Sequence, residues 1–466
     1  MFYDEIMFDI ILSWREKYKS VNTLQDILLW IEDRNKNLKV NIDKISLKDD
    51  RFWYYDDQDG KIKNSNNSFF SINGINVTKL EHDKLIEIEQ PIILQDEIGF
   101  LGIICKKING IMYFLMQAKI EPGNINKIQI SPTIQATKSN FMQKHGGKRP
   151  AYLEYFLNVK KEQIIVDQIQ SEQSSRFLKK RNRNIIIFIE EDIDVLPSHK
   201  WMTLYQIKQL MKFENLVNMD TRTVLSCLPF SKCSFNDKQL QTIAEKFDDK
   251  FLFKSIFEFH GNKLPEIFNK INNYKMFVDT RYELLPLKKL RQWTFTDNEL
   301  ICQKYWPFKV IFCKLAIEGR EVKEWTQPLF AAEGSALFGL ICSDSSGCKE
   351  FLVKLKGEIG CFDKVEIGPT VQNEALEIKP YDNVENIFYK KFNKNEGVIF
   401  SNVLSEEGGR FYHEQNRNVI INIDKSELNN LPEHYMWIDF RTLCDMIQFN
   451  NVINIQLRNL LSVLEG

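Results

Sequence analysis

Acidic and basic side chains that stand close together are the residues of this sequence best suited to acid–base chemistry. Glu121 stands two residues after Lys119, and Glu358 stands two residues after Lys356, each in a Lys-x-Glu-x-Gly frame. A carboxylate can take or give a proton, and an ammonium group beside it can hold an anion or polarise a carbonyl group. The same candidate group of residues therefore occurs twice in one chain.

A second block also occurs twice. The stretch SEQSSRFLKKRNRN (171–184) matches SEEGGRFYHEQNRN (405–418), with a Glu, an Arg four residues later, and then Asn-Arg-Asn. Four matched pairs keep a nearly constant offset of 234 to 237 residues: Pro91 and Pro328, Glu121 and Glu358, Glu172 and Glu406, and Trp201 and Trp437. This offset predicts duplication of a whole domain, because a solenoid would show a shorter period.

The elements that must position these residues follow the same order in both copies. The runs GFLGIICKK (99–107) and MYFLMQAKI (112–120) resemble strands, and INGI (108–111) indicates a turn between them. RNIIIFIEE (183–191) indicates a buried strand, and TLYQIKQLMKF (203–213) has apolar residues at helical spacing. The sequence predicts an α+β fold with a mostly antiparallel or mixed sheet and flanking helices. A dinucleotide-binding doubly wound domain is not expected, because G-x-G-x-x-G is absent.

Length and repeat together predict three regions of the 466-residue chain: a first repeat (1–230), a helical linker region (231–290) and a second repeat (291–466). The net charge of −1 argues against nucleic-acid binding. No apolar run approaches the ~20 residues of a membrane span, and the N-terminus favours an amphipathic helix over a signal peptide. Nine cysteines without paired spacing indicate reduced thiols in a cytoplasmic protein, and the cysteine and histidine spacings imply no metal site.

Six motifs together resemble the nucleotide-diphosphate-hexose 2,3-dehydratases of deoxysugar biosynthesis. They are SFFSINGINV (68–77), QAKIEPGN (117–124), SPTIQATKSN (131–140), HGG (145–147), SEQSSRFLKKRNRN (171–184) and LPSHKWM (196–202). The resemblance covers nearly the whole chain. It implies a tandem duplication of a Nudix-like domain, a homodimer, and a nucleotide-sugar pocket in each repeat. The hydrolase signature of Nudix enzymes, G-x5-E-x7-R-E-x2-E-E, is absent, so the fold can be shared without the hydrolysis.

The resemblance also implies a substrate and a reaction. The substrate is a dTDP- or GDP-linked 4-keto-6-deoxyhexose. Proton abstraction at carbon 3 and loss of the carbon 2 hydroxyl give a 3,4-diketo-2,6-dideoxy sugar. No cofactor is expected for this reaction, and an NAD(P)H-dependent 3-ketoreductase is the expected downstream partner. A Nudix-like nucleotide-sugar pyrophosphatase and a non-catalytic nucleotide-sugar-binding protein are the alternatives.

Such a reaction needs a base, an acid and donors toward the enolate oxygen. The catalytic candidates are Lys119, Glu121, His145, Tyr152 and Glu172. The substrate-binding candidates are Gln135, Thr137, Asn140, Arg176, Asn182, Arg183 and Asn184. Among these, the two arginines are expected to hold the diphosphate, since a guanidinium group suits phosphate oxygens.

The second repeat is expected to be mainly structural or to bind nucleotide. Its nucleotide-binding candidates are Lys356, Glu358, Gln372, Glu406, Arg410 and Arg417. Only the first repeat has PGN after its glutamate, at 122–124, and only the first has HGG. These losses fall on polar loop residues, where function concentrates, so the first repeat is predicted to be the catalytic one.

Overall fold

The computed structural model describes residues 2–50, 52–81, 84–138, 149–258, 261, 263–318, 322–375 and 380–465. Within these residues the chain forms helices and four β-sheets, two of seven strands and one each of six and five. The predicted α+β class is therefore confirmed.

The strands of the first repeat fall into two groups. The first group is β1 (Val40–Lys44), β2 (Trp53–Asp56), β3 (Lys61–Asn64), β4 (Ser71–Glu81) and β5 (Lys84–Leu94). The second group is β6 (Gly99–Ile108), β7 (Ile111–Ile120), β8 (Ile128–Ser131), β9 (Ile134–Ala136), β10 (Ile164–Ser171), β11 (Arg181–Ile189) and β12 (His199–Met202). The second group forms one seven-stranded sheet, the first central sheet.

The later strands follow the same succession. The first of them are β13 (Thr280–Leu285), β14 (Trp293–Phe295), β15 (Glu299–Cys302), β16 (Phe308–Ile317) and β17 (Glu324–Ala332). After these come β18 (Leu337–Ser343), β19 (Glu350–Lys356), β20 (Glu366–Gly368), β21 (Val371–Asn373), β22 (Val398–Ser405), β23 (Phe411–Tyr412), β24 (Gln415–Asn422) and β25 (Tyr435–Asp439). Apart from β23, this last group forms the second central sheet.

The helices pack on and between the sheets. They are α1 (Phe2–Trp14), α2 (Leu24–Asn37), α3 (Leu153–Leu157), α4 (Leu204–Leu210), α5 (Met219–Ser226), α6 (Asp237–Lys246), α7 (Lys250–Phe257), α8 (Leu264–Phe277), α9 (Asn383–Lys394), α10 (Phe440–Ile447) and α11 (Ile455–Ser462). Helices α5 and α11 begin at Asn218 and Asn454, whose side chains accept a backbone N–H three residues later. Such N-caps satisfy donors that the first helical turn leaves open.

The two central sheets have the same strand order and directions. The first runs β10-β11-β6-β7-β12 and the second runs β22-β24-β18-β19-β25, with one parallel pair in each, β6–β11 and β18–β24. The predicted turn between β6 and β7 is present as a two-residue hairpin at Asn109 and Gly110, both at positive φ. An Asn-Gly pair suits this geometry because both residues tolerate the left-handed conformation.

The two smaller sheets exchange one strand each. Strand β1 of the first repeat pairs antiparallel with β16, which belongs to the second repeat. Strand β13 pairs antiparallel with β4, which belongs to the first repeat. Each small sheet is therefore completed by a strand from elsewhere in the chain.

The largest apolar core is shared by both repeats. It contains buried side chains of α1, α4 and β7 together with those of β19, α10 and α11. Helix α5 packs against α11 at its centre. Two buried arginines lie there, and each donates to a carbonyl oxygen of the opposite repeat: Arg222 to Ser405 and Arg458 to Ser171. Since both hydrogen bonds are buried, they fix the loops that follow β10 and β22.

The segment predicted as a helical linker (231–290) contains α6, α7, α8 and β13. Helix α8 and strand β13 precede the second group of strands as α2 and β1 precede the first. The boundaries at 230 and 290 stay predictions.

Candidate active site

A cavity of about 810 Å³ opens between the two repeats. Its volume lies within the range of small-molecule sites. The polar side chains on its walls include Lys119, Glu121, Gln135, Thr137, Glu172, Lys180, Asn182, Asp220, Glu407 and Arg410, and its aromatic side chains are Phe52, Trp53, Phe69, Phe70, Phe177 and Trp325. Six of the predicted site residues of the first repeat are thus brought together.

Glu121 follows the last residue of β7 and is 5% exposed. Its Oε1 accepts a hydrogen bond from Gln135 Nε2 at 3.1 Å and lies 3.5 Å from Lys119 Nζ. Its Oε2 is buried and has no hydrogen-bond partner among the described residues. A buried carboxylate oxygen without a partner costs free energy, so it marks a place where a ligand can donate a hydrogen bond or a proton.

Both carboxylate oxygens of Glu172 accept hydrogen bonds, unlike those of Glu121. Its Oε1 accepts the backbone N–H of Gln173 at 3.1 Å, and its Oε2 accepts from Asn182 Nδ2. Burial raises the pKa of Glu172. With both oxygens engaged, Glu172 is better placed to orient neighbouring groups than to remove a proton.

The second repeat contributes one wall of this cavity through the loop between β22 and β23. Glu407 and Arg410 of that loop line the cavity. The loop is seated on the first repeat, because the N–H of Gly123 donates to Gly408 O at 2.7 Å and the N–H of His413 donates to Gly123 O at 3.0 Å. The Arg410 guanidinium lies over the ring of Phe70, 4.4 Å from its centroid.

Two further ionisable side chains have strongly shifted pKa values. Asp220, on α5, is 2% exposed, and burial together with Glu172 and Glu407 raises its pKa well above the usual range. Burial lowers the pKa of Lys180 to about 8, although its Nζ donates to Glu97 O. Crowded carboxyl groups of this kind favour protonated forms, because adjacent negative charges repel one another.

Two predicted diphosphate ligands lie outside this cavity. Arg176 points into the second repeat, where its Nη2 lies 3.0 Å from Glu374 Oε2 and its guanidinium lies over the ring of Phe308. Arg183 forms a half-exposed ion pair with Asp167 at 2.6 Å. Their expected diphosphate-binding role in the first cavity is therefore not supported by their positions.

Tyr152 and Asn184 also lie away from the cavity wall. The Tyr152 hydroxyl donates to Asp194 O at 2.9 Å and accepts the N–H of Leu196 at 2.9 Å, so it fastens a loop. Asn184 is 1% exposed and donates to Asn182 O at 3.1 Å, behind the wall. Two other candidates, Asn140 and His145, lie outside the described residues, and their roles stay predictions.

The candidates of the second repeat repeat the first arrangement in part. Glu358 accepts from Gln372 Nε2 at 2.9 Å, as Glu121 does from Gln135, and burial raises its pKa to about 8. Lys356 ends β19. Glu406 accepts from Asn416 Nδ2 at 2.8 Å, and Arg417 lies half-buried on β24.

Arg410 departs from its predicted place. It was expected to serve the second repeat, yet it lines the cavity of the first. Arg176 departs in the opposite direction and enters the second repeat. The loop after β10 and the loop after β22 therefore cross over: the first carries Arg176 to Glu374 of the second repeat, and the second carries Arg410 to the cavity of the first.

Sequence reasoning missed seven ionisable residues of the cavity: Asp49, Asp50, Lys180, Asp220, Lys314, Glu324 and Glu407. A signal for Asp220 was present, because NLVNMDTR (215–222) matches NVINIQLR (451–458) at the same offset. Asp220 then corresponds to Gln456, a difference between the repeats at a buried position. Glu407 lay inside a recognised block, where it corresponds to Gln173, but nothing local indicated that it would face the first repeat.

Metal and membrane features can be assessed for the described part of the chain. Within it, no group of three or more His, Cys, Asp or Glu side chains is arranged to hold a metal ion. Among the described helices, none is both long enough and apolar enough to cross a membrane.

Comparison with known proteins gives consistent matches over both repeats. Residues 24–228 and 265–464 match the family described as NDP-hexose 2,3-dehydratase. A relative from Saccharopolyspora spinosa is 34% identical over 443 residues, covering 94% of this chain and 90% of that protein. One from Streptomyces violaceoruber is 33% identical over 442 residues, covering 93% and 95%. Both are named dTDP-4-dehydro-6-deoxy-alpha-D-glucopyranose 2,3-dehydratase, as is a relative from Amycolatopsis orientalis that is 30% identical over 451 residues, covering 95% and 90%.

Proposed function

Because the chain belongs to the NDP-hexose 2,3-dehydratase family, we propose that its cavity binds a dTDP-linked 4-keto-6-deoxyhexose and removes water across carbons 2 and 3. The family assignment confirms the predicted enzyme class, a hydro-lyase acting on a nucleotide-linked hexose in deoxysugar biosynthesis. The dTDP group is inferred from the names of the relatives.

We propose Glu121 as the base that takes the proton from carbon 3. The observation that carries this assignment is its buried Oε2, which has no hydrogen-bond partner among the described residues and belongs to a side chain of the cavity wall. Gln135 holds the other oxygen and so orients the carboxylate. Lys119 lies beside it and can stabilise negative charge on the carbon 4 oxygen as the enolate forms.

The nucleotide part is assigned to the aromatic side of the cavity. Trp53 and Phe70 lie there with ring centroids 4.7 Å apart, and Arg410 lies over Phe70. A guanidinium group at this place can bind diphosphate oxygens with two parallel hydrogen bonds. Gln135, Thr137 and Asn182 supply amide and hydroxyl groups toward the sugar.

The first repeat is proposed as the catalytic one. The second repeat keeps the matching glutamate, Glu358, but there the ion pair of Arg176 and Glu374 occupies the position that corresponds to Thr137 in the first repeat. The shared strand order of the central sheets supports a duplicated ancestral domain, for which we retain the Nudix-like relationship as a proposal.

The homodimer that the family resemblance implies is likewise a proposal. Elution volume and light scattering test it.

We further propose that the enzyme works in the cytoplasm beside an NAD(P)H-dependent 3-ketoreductase. A 3,4-diketo sugar is reactive, so prompt reduction protects the product. If the product persists unchanged for hours in buffer, this partner is not required.

Mass spectrometry of dTDP-4-keto-6-deoxyglucose after incubation with the protein tests the proposed function. The expected result is a product lighter by one water. A substrate that stays intact over long incubations would contradict the dehydration, and release of a nucleoside monophosphate would indicate a pyrophosphatase instead.

A further inference from the structure

We propose that Glu407, a residue of the second repeat, is the general acid that protonates the departing carbon 2 hydroxyl in the cavity of the first repeat. The assignment rests on the proposed function, in which Glu121 is the base. It adds a catalytic residue that reaches the site across the repeat boundary.

The position of Glu407 is fixed by contacts between the repeats. Its loop is fastened at Ser405 by Arg222, and at Gly408 by the backbone of Gly123. A Cβ atom at Gly123 would collide with Phe411 O, so the two backbones meet as closely as glycine allows. Glu407 is therefore held against the strand that ends next to Glu121.

Glu407 and Glu121 face each other across Gly409. A Cβ atom at Gly409 would collide with Glu407 Oε1 and would lie 3.5 Å from Glu121 Oε1. Glu407 Oε1 accepts the N–H of Gly409 at 2.8 Å, which leaves the other carboxyl oxygen to carry a proton toward the cavity. Two carboxyl groups on adjacent walls are the arrangement that an elimination requires, one to take a proton and one to give it.

The surroundings of Glu407 favour its protonated form near neutral pH. Burial and then the Glu121 carboxylate raise the pKa of Glu407 to about 7, against the influence of Arg410. Among the described residues, Lys119, Glu172, Lys180 and Asp220 also line this cavity, as do Asp49, Asp50, Lys314 and Glu324. An acid whose pKa lies near the working pH is protonated in a substantial fraction of the molecules and also releases its proton readily.

The proton transfers balance as follows. Glu121 takes the proton from carbon 3, and the electron pair of that C–H bond forms the enolate of the carbon 4 ketone. The ketone then re-forms, a double bond forms between carbons 2 and 3, and the bond from carbon 2 to its oxygen breaks. The Glu407 proton leaves with that oxygen as water. Return of the proton from Glu121 to carbon 2, with loss of the carbon 3 hydroxyl proton to solvent, converts the enol to the 3,4-diketone, and a proton from solvent restores Glu407.

The second repeat has no acid at the equivalent place. Gln173, in the loop after β10, is the sequence counterpart of Glu407, and its amide donates to Glu414 Oε1 at 3.2 Å. An amide cannot supply a proton to a leaving hydroxyl at neutral pH. The loop after β10 therefore lacks the acid that the loop after β22 supplies to the first cavity.

The variant Glu407→Gln tests the assignment in the full-length protein, with dTDP-4-keto-6-deoxyglucose in D₂O. Proton NMR follows exchange of the carbon 3 hydrogen, and mass spectrometry follows water loss. We expect water loss to fall on the order of 100-fold or more while exchange at carbon 3 continues. Glu407→Asp should recover part of the water loss, since it restores a carboxyl group. A reaction without protein gives the background exchange.

Glu366→Gln is the matched control. Glu366 is a buried carboxyl group of the second repeat with a pKa raised to about 7 by burial, and its first-repeat counterpart is Gln129. This control is expected to keep both reactions. Glu407→Gln with unchanged water loss overturns the assignment, and so does loss of exchange and water loss together while its circular dichroism matches the control. A wild-type chain that performs neither reaction overturns the proposed function itself.

Discussion

The guanidinium group of Arg176 lies 3.0 Å from the carboxylate of Glu374, although the first comes from one repeat and the second from the other. Arg176 is 3% exposed in its side chain, and the Glu414 carboxylate lies 3.7 Å away on the same guanidinium nitrogen. In the first repeat the residue at the position of Glu374 is Thr137. A charged side chain in the second repeat thus stands at the position of a small hydroxyl in the first.

Replacement of Glu374 by Thr should destabilise the fold. The substitution removes the nearest carboxylate from the buried Arg176 charge, and breaking a buried pair by removing one partner costs about 3 kcal/mol. The free energy of unfolding in urea measures the effect. Asp167→Thr is the control, because it removes the partner of Arg183 from a half-exposed pair worth less than about 1 kcal/mol. Equal losses in the two variants would contradict the prediction.

Substitution of Glu121 and of its counterpart Glu358 should show which repeat carries the catalytic base. Glu121→Gln removes the proposed base and should lower turnover by at least about 100-fold. Glu358→Gln makes the same change beside the same kind of glutamine partner in the second repeat, and turnover should stay within a few-fold of wild type. If Glu358→Gln abolishes turnover while Glu121→Gln remains active, the catalytic repeat has been assigned to the wrong half.

Gly123 and Gly360 each contact the backbone of a loop from the opposite repeat, and their substitution offers a second comparison. A Cβ atom at Gly123 would collide with Phe411 O, and one at Gly360 would collide with Phe177 O. Gly123→Ala and Gly360→Ala should therefore cause similar losses of stability. Gly123→Ala displaces the loop that holds the proposed acid Glu407, whereas Gly360→Ala displaces Phe177, an aromatic wall residue, so Gly123→Ala should reduce turnover more than Gly360→Ala. Melting temperatures and initial rates of the two variants test this; equal rates would argue against a catalytic role for the crossing loop.

Stability should fall as the pH rises through neutrality. Burial raises the pKa of Glu366 and of Glu414 to about 7 and that of Glu358 to about 8, so the folded chain binds protons that the unfolded chain has released. The stabilising contribution is present below the unfolded pKa and is lost as pH rises through the folded pKa. For Glu366 the loss between pH 6 and pH 8 is about 1 kcal/mol.

Urea unfolding at pH 6, 7 and 8 measures this dependence. Glu366→Gln removes one of the titrating groups and should make the pH dependence shallower by the share of Glu366. A slope as steep as that of wild type would show that Glu366 does not titrate in this range.

Turnover should not depend on added metal. The expectation follows from the absent Nudix signature, since a glutamate cluster would be needed to hold Mg²⁺ for diphosphate cleavage. Dialysis against a chelator followed by a rate measurement tests it. Activity that is abolished by the chelator and restored by Mg²⁺ would contradict it.

The sequence predicted the local features of the fold well. The turn at Asn109 and Gly110, the buried strand through Ile186 and the helix through Ile207 each depend on residues near in sequence, where apolar spacing and turn chemistry are informative. The repeat also predicted that Glu121 and Glu172 would matter together, and the cavity contains both.

The features that the sequence did not predict are those set by contacts between distant parts of the chain. Arg176 and Arg410 stand in equivalent blocks, and nothing in either block indicates that its loop enters the opposite repeat. That choice depends on Arg222 and Arg458, which come from helices whose match was not recognised. The pairing of β1 with β16 likewise depends on a strand far along the chain.

The exchange of β1 and β13 gives the two ends of the chain different roles during synthesis. Strand β1 ends at Lys44 and its partner β16 ends at Ile317, so at about 5–20 residues per second the partner is complete roughly 15–55 s later. During that interval the nascent β1 is protected from association with other chains by its composition, VNIDK, in which polar and charged residues interrupt the apolar ones. Strand β13 emerges after its partner β4 and can pair at once. Strand β1 can therefore pair with β16 only after much of the second repeat has been synthesised. Strand β13, in contrast, has its partner β4 available as soon as it emerges.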